Sequence, residues 1–334
     1  MRALYKIASA AVLLVVIPFG AAAQEPIVIK FSHVVAPETP KGKGADKFKD
    51  LAGKYTDGRV KVEVYPNSQL YKDKEEVDAL QLGAVQMLAP SLAKFGPLGA
   101  REFEVFDLPF ILPNHAALRK VTGGELGKRL FKKLETKGIV GLAYWDNGFK
   151  IMSANRPLRA PEDFRGLKMR IQSSKVLEAQ MRALGAIPQV MAFSEVYQAL
   201  QNGVVDGTEN PPSNMFTQKH YEVQKFATLS DHGYLGYAVI ANKKFWEGLP
   251  ADVRGQLEKA MKEATAYANE ISQQENDHAM REIRKSGKTT FIELTPEQKA
   301  TWHRTLEPLY TEMGSRVGTQ IIEEFQKETR GLTQ

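Results

Sequence analysis

Residues 166–214 read GLKMRIQSSKVLEAQMRALGAIPQVMAFSEVYQALQNGVVDGTENPPSN, the segment of the chain richest in structural and binding signals. Leu167 to Ile171 alternates as a strand does, with Arg170 on the face opposite Met169. A lone arginine in a strand is often a solvated surface residue. Here, however, Gln172-Ser173-Ser174 follows and opens a helix, whose N-terminus attracts anions. Because a planar guanidinium can form two parallel hydrogen bonds with a carboxylate, Arg170 is a candidate ligand-binding residue.

The second half of the stretch offers another polar candidate at a strand end. Ser194 to Gln201 has the pattern of a helix with a serine cap, and a strand is predicted at Val204-Val205. The prolines of Asp206 to Pro212 end that strand and fix the backbone around Asn210. A rigidly held asparagine can donate one amide hydrogen bond and accept another.

One segment of the chain is repeated. Residues 79–85, ALQLGAV, match residues 199–205, ALQNGVV, at five of seven positions. Both end a helix at a glycine suited to a left-handed cap and continue into a strand. The repeat is either a common helix–glycine–strand pattern or the mark of two similar lobes. In the second case Leu88–Ser91 and Thr208–Pro211 are corresponding strand exits, where open α/β sheets bind ligands, and two facing lobes would form a cleft.

Elsewhere the chain alternates between strand and helix patterns. Examples are strands at Ile27–His33 and Val85–Leu88 and a helix at Pro40–Tyr55. Such alternation predicts an α/β fold with parallel strands and crossover helices. Pro250–Ser286 is mostly polar with a narrow apolar stripe. It is either one helix of about 50 Å, long enough to lie across two lobes, or two helices with a break near Asn269.

Composition excludes several functional classes. The 334 residues contain no cysteine, six scattered histidines, and 45 basic against 39 acidic residues that are interspersed along the chain. There is no thiolate chemistry, no G-x-S-x-G elbow, no H-E-x-x-H helix and no P-loop. These absences argue against an enzyme without excluding an unrecognised catalytic site, and we expect no cofactor, no metal and no nucleic-acid partner. The mild positive charge favours an anionic ligand.

The N-terminus has the pattern of an export signal. A short basic head precedes an uncharged apolar run, Ile7 to Gly20, and three alanines end at Ala23. The pattern predicts a signal peptide over residues 1–23, cleaved near Ala23, and a periplasmic location. The alternative is a membrane anchor, although about 20 apolar residues are needed to span a bilayer. Removing 23 of the 334 residues leaves 311, a length that usually makes two domains.

The two halves of the 166–214 stretch also resemble a family signature. The runs G-L-K-M-R-I and M-A-F-S-E-V-Y-Q-A-L-Q-N-G-V-V-D-G-T-E-N-P resemble that of the dicarboxylate-binding (DctP) family. Its members are solute-binding proteins of tripartite ATP-independent periplasmic (TRAP) transporters. The resemblance covers nearly the whole chain after the signal and includes further segments: Tyr65–Leu70, Leu108–Phe110 and Tyr221–Lys225. Residues Lys30–Lys43 and Trp145–Asn155 look closest to the C4-dicarboxylate branch.

The resemblance implies an α/β, two-lobed periplasmic binding protein fold. The implied features are an interlobe cleft, a long spanning C-terminal helix and closure on the ligand. We expect lobe I to hold residues 24–147 plus about 236–275, and lobe II residues 148–235 plus about 276–334. The implied ligand is a small organic anion such as succinate, malate or fumarate. The implied partners are the TRAP membrane permease subunits, and the chain is expected to be a monomer.

The family signature also implies a set of ligand-binding residues. Its arginine falls on Arg170, its E-N-P asparagine on Asn210 and its cleft phenylalanine on Phe193. A second basic position falls on Lys150, where many sialic-acid-binding relatives carry arginine. That departure removes a fork-shaped donor and argues against long acidic sugars.

A dicarboxylate needs a further cation for its second carboxylate. His33, Lys43 and Lys94 are candidates, because they lie near strand exits or a helix start of the first lobe. Trp145 and Asn147 end a strand at the expected lobe crossing, and they either contact the ligand or pack between the lobes.

Three alternatives to a C4-dicarboxylate transporter subunit stay open on the sequence. The protein could bind another monocarboxylate or a 2-oxo acid, or present its ligand to a membrane receptor kinase as a sensory subunit. The third alternative is a periplasmic enzyme that acts on an organic acid.

Overall fold

The computed structural model describes residues 25–332, so the predicted signal peptide lies outside the described residues. The strands in this range are β1 (Ile27–Ser32), β2 (Val60–Tyr65), β3 (Met87–Leu88), β4 (Ile139–Phe149), β5 (Ile151–Ala154), β6 (Lys168–Ile171), β7 (Ile187–Val190), β8 (Gly207–Asn210), β9 (Phe226–Leu229), β10 (Tyr234–Asn242) and β11 (Thr290–Glu293). Within residues 25–332, every helix is too short or too polar to cross a bilayer.

Helices connect and cover these strands. They are α1 (Pro40–Tyr55), α2 (Glu76–Gln81), α3 (His115–Gly123), α4 (Glu125–Glu135), α5 (Lys175–Ala183), α6 (Val196–Gln201), α7 (Pro212–Thr217), α8 (Lys243–Glu247), α9 (Ala251–Ser286), α10 (Pro296–Leu306), α11 (Leu309–Glu312), α12 (Gly314–Val317) and α13 (Thr319–Thr329). Short 3₁₀ turns lie at Leu92–Lys94, Arg101–Asp107, Pro161–Phe164, Phe193–Glu195 and His220–Glu222.

The strands form two sheets of similar order. The first sheet runs β2-β1-β3-β10-β4, and the second runs β11-β9-β5-β8-β6-β7. In each sheet a central strand pairs in parallel with two neighbours, β1 with β2 and β3, and β6 with β7 and β8. We call the elements around the first sheet lobe I and those around the second lobe II. The predicted α/β class and the two-lobed architecture are confirmed.

The pairing is not parallel throughout, and the exceptions mark where the chain changes lobes. β10 pairs antiparallel with β3 and β4, and β5 pairs antiparallel with β8 and β9. The chain passes from β4 to β5 at Lys150, and it returns from β9 to β10 through residues 230–233. Each lobe therefore completes its sheet with a strand that enters from the other lobe, which a reading of local alternation does not reveal.

The sequence repeat corresponds to a structural repeat. α2 spans 76–81 and α6 spans 196–201, so each end of α6 lies 120 positions after its counterpart. Gly83 (φ 78°) and Gly203 (φ 67°) both adopt the left-handed conformation that favours glycine. The following strands begin at Met87 and Gly207, again 120 positions apart. Of the two interpretations of the repeat, two similar lobes is the one that the structure supports.

Two local predictions around this repeat are wrong. The strands were expected at Val85–Leu88 and Val204-Val205, yet they begin at Met87 and Gly207, because a turn follows each left-handed glycine. Val204 is in fact more than half exposed. Ser194 does not cap α6 either, since it lies inside a 3₁₀ turn and α6 follows without a side-chain cap.

Helix α9 is one continuous helix of 36 residues, about 54 Å long at the usual rise per residue. It contacts α1 and β4 in lobe I and α7 in lobe II, so it lies across both. No break occurs at Asn269, whose side-chain oxygen accepts a hydrogen bond from the backbone N–H of Asp146 at 2.7 Å. The prediction of a single spanning helix is confirmed.

The C-terminal helices divide between the lobes. Trp302 of α10 lies in a buried cluster with lobe II residues such as Phe164. Phe325 of α13, in contrast, lies in a lobe I cluster and makes an edge-on contact with Phe106 at 5.0 Å between ring centres. Residues 314–329 therefore pack on lobe I after the chain has visited lobe II.

Candidate ligand-binding cleft

A small polar cavity lies where the carboxyl ends of the two parallel strand sets face each other. Its walls come from the segments after β1, β3, β6 and β7, from the end of β8, and from α1, α2, α7 and β10. The cavity volume is about 20 Å³, which leaves room for little more than one water molecule. A ligand of several carbon atoms is larger than this cavity.

Direct contacts between the lobes hold this closed arrangement. The backbone N–H of Phe193 donates to Asp73 Oδ1 at 3.2 Å, and Gln172 Nε2 donates to Ser91 Oγ at 2.8 Å. Asp73 and Phe193 are themselves 120 positions apart, so equivalent points of the two lobes touch. On the outside, exposed Lys72 and Glu195 form an ion pair at 2.7 Å.

Arg170 lies at the lobe II wall, beside Asp73. Its side chain is 1 % exposed, and its Nε and Nη2 donate to the carbonyl of Met191 at 3.1 and 2.9 Å. The guanidinium carbon lies 5.6 Å from the ring centre of Phe193, and Nη2 lies 3.9 Å from Asp73 Oδ2. Two of its five N–H groups are thus engaged with the chain, and the remaining three make no hydrogen bond among the described residues.

Lobe I places a buried ion pair opposite the arginine. Lys94 Nζ lies 2.7 Å from Asp73 Oδ2, and both side chains are almost fully buried. Burial alone would raise the pKa of Asp73, but Lys94 and then Arg170 outweigh it and hold the pKa below its ordinary value. Asp73 therefore stays ionised between two cations that belong to different lobes.

Two further lobe I side chains line the cavity, and sequence reasoning missed both. Lys41, 1 % exposed, donates to the carbonyl of Ala89 at 2.9 Å and lies 3.6 Å above the ring centre of Tyr237. Glu76 is also 1 % exposed. A signal for Lys41 was available, because Lys41, Ala45 and Phe48 follow the i, i+4, i+7 spacing of one buried helix face.

A chain of asparagines connects the cleft with the lobe crossing. Asn147 Nδ2 donates to Asn214 Oδ1 at 3.1 Å, and Asn214 Nδ2 lies 3.5 Å from both Asn210 Oδ1 and the Tyr237 hydroxyl. Asn210 and Asn214 line the cavity, while Asn147 lies behind them. The structure thus brings Asn147 and Asn210 together through Asn214, which the sequence reasoning did not single out.

Lys150 belongs to a buried network next to the cleft rather than to its lining. Its Nζ lies 2.7 Å from Glu209 Oε1, and Glu209 Oε2 lies 2.8 Å from His232 Nε2. His232 Nδ1 in turn lies 2.7 Å from Ser230 Oγ. Burial would raise the pKa of Glu209, but Lys150 and His232 outweigh it and lower the pKa to about 2. The network joins the crossing from β4 to β5 at Lys150 to the crossing from β9 to β10 at residues 230–233.

Of the remaining predicted site residues, Phe193 and Lys94 line the cavity and three others do not. His33 is fully buried behind Lys41, and burial, followed by the Lys41 charge, lowers its pKa to about 3. Lys43 is directed away and pairs with Glu275 of α9 at 2.6 Å, since two residues along a helix correspond to opposite faces. Trp145 packs in the lobe I core, where its Nε1 donates to Thr265 Oγ1 at 2.9 Å.

Comparison of the sequence with known protein families identifies one that matches most of the chain. Residues 31–316 match the DctP family, described as bacterial extracellular solute-binding protein, family 7. The chain belongs to this family. The resemblance read from the sequence is therefore confirmed, and so is the expectation of a binding protein rather than an enzyme, because the DctP family is one of periplasmic solute-binding proteins.

Several DctP-family relatives match over nearly their whole length. The chain is 72% identical over 298 residues to the C4-dicarboxylate-binding periplasmic protein DctP of Rhodobacter capsulatus, which covers 89% of this chain and 90% of that protein. It is 42% identical over 303 residues to the C4-dicarboxylate-binding protein DctB of Bacillus subtilis strain 168, covering 90% and 86%.

Solved structures of TRAP periplasmic solute-binding proteins match the fold. One from Shewanella oneidensis with bound succinate has a TM-score of 0.89 and 42% identity, and covers 91% of this chain and 100% of that chain. Another, from Pseudomonas aeruginosa PAO1 with bound L-malate, has a TM-score of 0.84 and 43% identity, and covers 86% and 100%. The fold is thus shared with these two proteins over 86–91% of the chain.

Proposed function

We propose that this protein is the solute-binding subunit of a TRAP transporter and that it binds a C4-dicarboxylate such as succinate, malate or fumarate. The observation that carries the proposal is the position of three buried cations around one cleft. Arg170 belongs to lobe II, whereas Lys94 and Lys41 belong to lobe I. A short dianion that spans the cleft meets a cation at each end, and relatives that bind succinate and malate support this ligand class.

In this proposal each end of the ligand has its own partners. Arg170 binds one carboxylate with N–H groups that have no acceptor on the chain, and Asn210 and Phe193 flank that carboxylate. Lys94 and Lys41 bind the other carboxylate. Asn147 holds the asparagine chain in place, while Lys150, Trp145, His33 and Lys43 act through structure rather than by ligand contact. Leaving a buried cation without its anion is costly, so ligands with one charge should bind poorly.

Calorimetry with succinate and butyrate at one salt concentration tests the proposal. We expect tight binding of succinate and far weaker binding of butyrate, and in Lys41→Met we expect succinate to lose most of that advantage. Lys43→Met is the matched control, because Lys43 lies on the opposite face of the same helix and pairs with Glu275. Equal affinities for succinate and butyrate in the wild-type protein would instead indicate a monocarboxylate site.

The proposal includes closure between lobes. We propose that residues 24–147 plus about 236–275 move as lobe I and that residues 148–235 plus about 276–313 move as lobe II. The contacts of α12 and α13 support counting residues 314–329 with lobe I, although the sequence alone suggested lobe II. The hinge then includes the strand crossings near Asn147 and Gly233–Gly236, and the chain also crosses between the lobes within α9 and near residue 313.

The proposed function also includes export of the chain and delivery of the ligand. We propose that the chain is exported with cleavage near Ala23, acts as a monomer and passes its ligand to the membrane permease subunits of the transporter. N-terminal sequencing of the secreted protein tests the cleavage site, and light scattering tests the monomer. Ligand uptake by vesicles that contain the permease, with and without this protein, tests the partnership.

A further inference from the structure

Glu76 is an acid of the cleft lining that has cations nearby but a buried carboxylate oxygen without a hydrogen-bond donor. It begins α2, it is 1 % exposed, and its Oε2 is buried with no hydrogen-bond partner among the described residues. Charged or titratable groups reach it from each neighbouring element: Lys41 of α1, Lys94 of a 3₁₀ turn, Asp73 of the preceding loop and Tyr237 of β10.

The second acid of the cleft differs in this respect. Asp73 accepts from Lys94 Nζ at 2.7 Å and from the Phe193 backbone N–H at 3.2 Å, and these bonds favour its ionised form. Glu76 Oε2, in contrast, is buried without a hydrogen-bond donor among residues 25–332. A buried carboxylate without such partners is strongly disfavoured relative to its neutral form.

We propose that Glu76 takes up one proton when the dicarboxylate binds, so that the protein binds the dianion and the proton together. The inference rests on the proposed function, because it requires two ligand carboxylates in the cleft. Arg170, Lys41 and Lys94 supply three positive charges, and Asp73 and the dianion supply three negative charges. If Glu76 stayed ionised, a fourth negative charge would be buried without a counter-charge.

The other group that could change its protonation state is Lys41. We assign the proton that is taken up to Glu76, with Lys41 protonated in the complex. Burial lowers the pKa of Lys41 to about 7, in spite of Glu76 and Asp73, which raise it. In the complex, however, the two ligand carboxylates favour its cation, and the ammonium already donates to the Ala89 carbonyl at 2.9 Å and lies over the Tyr237 ring at 3.6 Å. Burial raises the pKa of Glu76 to about 7, in spite of Lys41 and Lys94, which lower it. Two ligand carboxylates nearby raise the pKa further, whereas in the separated lobes the side chain returns toward its ordinary, solvated value.

The proton taken up by the complex makes the affinity for succinate depend on pH. Since the bound state holds one more proton than the free state, affinity weakens as pH rises between the pKa of Glu76 in the free protein and its higher pKa in the complex. Within that window the dissociation constant should increase up to about tenfold for each pH unit.

Calorimetry in buffers with different ionisation enthalpies measures the proton directly. Succinate is titrated into the wild-type protein in phosphate and in Tris at about pH 7.5, where both ligand carboxylates are ionised. We expect the wild-type protein to take up close to one proton per succinate. Glu76→Gln mimics the protonated acid, so we expect it to bind succinate without proton uptake and with an affinity that does not change up to about pH 8.5.

Glu75→Gln is the matched control, because Glu75 is the exposed neighbour and its substitution removes the same charge. It should behave as the wild-type protein does. Succinate binding by the wild-type protein without proton uptake would overturn the inference alone, and this comparison needs no variant. Uptake that persists in Glu76→Gln would move the proton to another group and overturn it as well. No binding of succinate at all would overturn the proposed function and the inference together.

Discussion

Replacing Arg170 with lysine keeps the buried charge but removes the planar guanidinium. The substitution tests the proposed contact between Arg170 and one carboxylate of the ligand. The guanidinium uses Nε and one Nη2 hydrogen for the Met191 carbonyl, so three N–H groups remain for a carboxylate. An ammonium on a flexible stem cannot place two donors in the carboxylate plane. If one charge-assisted hydrogen bond of about 1.5–3 kcal/mol is lost, the dissociation constant for succinate rises about tenfold to 150-fold.

Arg170→Ala removes the charge as well, and there the expected cost is about 2–5 kcal/mol, or roughly 30-fold to several thousandfold in affinity. The alanine variant also leaves the Met191 carbonyl without its donor, which costs about 1–3 kcal/mol of stability. We therefore expect the loss in binding free energy for succinate to exceed the loss in the free energy of unfolding. Titration calorimetry with succinate, together with urea unfolding of each variant, separates the two effects.

Arg182→Lys is the matched control, since Arg182 is exposed on α5 of the same lobe. It should bind succinate as the wild-type protein does. If Arg170→Lys and Arg170→Ala are folded and both keep wild-type affinity, then Arg170 supports the wall of the cleft and does not bind the ligand.

Two further predictions concern the lobe crossing and the closure. Lys150→Met leaves Glu209 buried with only His232, so we expect a loss of about 3–5 kcal/mol in the free energy of unfolding at pH 7, measured by urea unfolding against Lys168→Met. Because the pKa of Glu209 is lowered to about 2, the ion pair stabilises the fold above the ordinary pKa of a glutamate. The difference in the free energy of unfolding between Lys150→Met and the wild type should therefore shrink as pH falls from about 4.5 toward 2. If this difference does not shrink there, the loss comes from packing rather than from the ion pair. Small-angle scattering should show a smaller radius of gyration with succinate than with butyrate, and identical profiles at saturation would argue for a rigid site.

The sequence predicted the features that depend on local residue patterns or on a repeated segment. The repeat at 79–85 and 199–205 predicted two similar lobes because a helix, a left-handed glycine and a strand impose the same residue types twice. Arg170 and Asn210 were found because they stand where strands end. Strand starts after the glycines were misplaced, since hydrophobic residues such as Val85 and Val205 are buried before pairing begins.

The lobe I half of the cleft was harder to predict, because it depends on packing between distant elements. Lys43 was preferred to Lys41, although the buried face of α1 includes Lys41. Asp73 and Glu76 were not considered, because acids are unexpected around an anion. Their role becomes visible only when Lys94, Lys41 and Arg170 converge on them from three separate segments. Local sequence patterns also do not predict that β5 and β10 each enter one lobe directly from the other.

The place of β10 in the middle of the first sheet affects how the polypeptide matures. A chain that emerges from a ribosome or a membrane pore presents β3 and β4 long before residues 234–242, the strand that joins them. Until then lobe I is two fragments with open edges, and distant pairing of this kind is slow. The first sheet of this protein therefore cannot be completed until nearly three quarters of the 334 residues have been made, and for that period the edges of β3 and β4 are open to pairing with other chains.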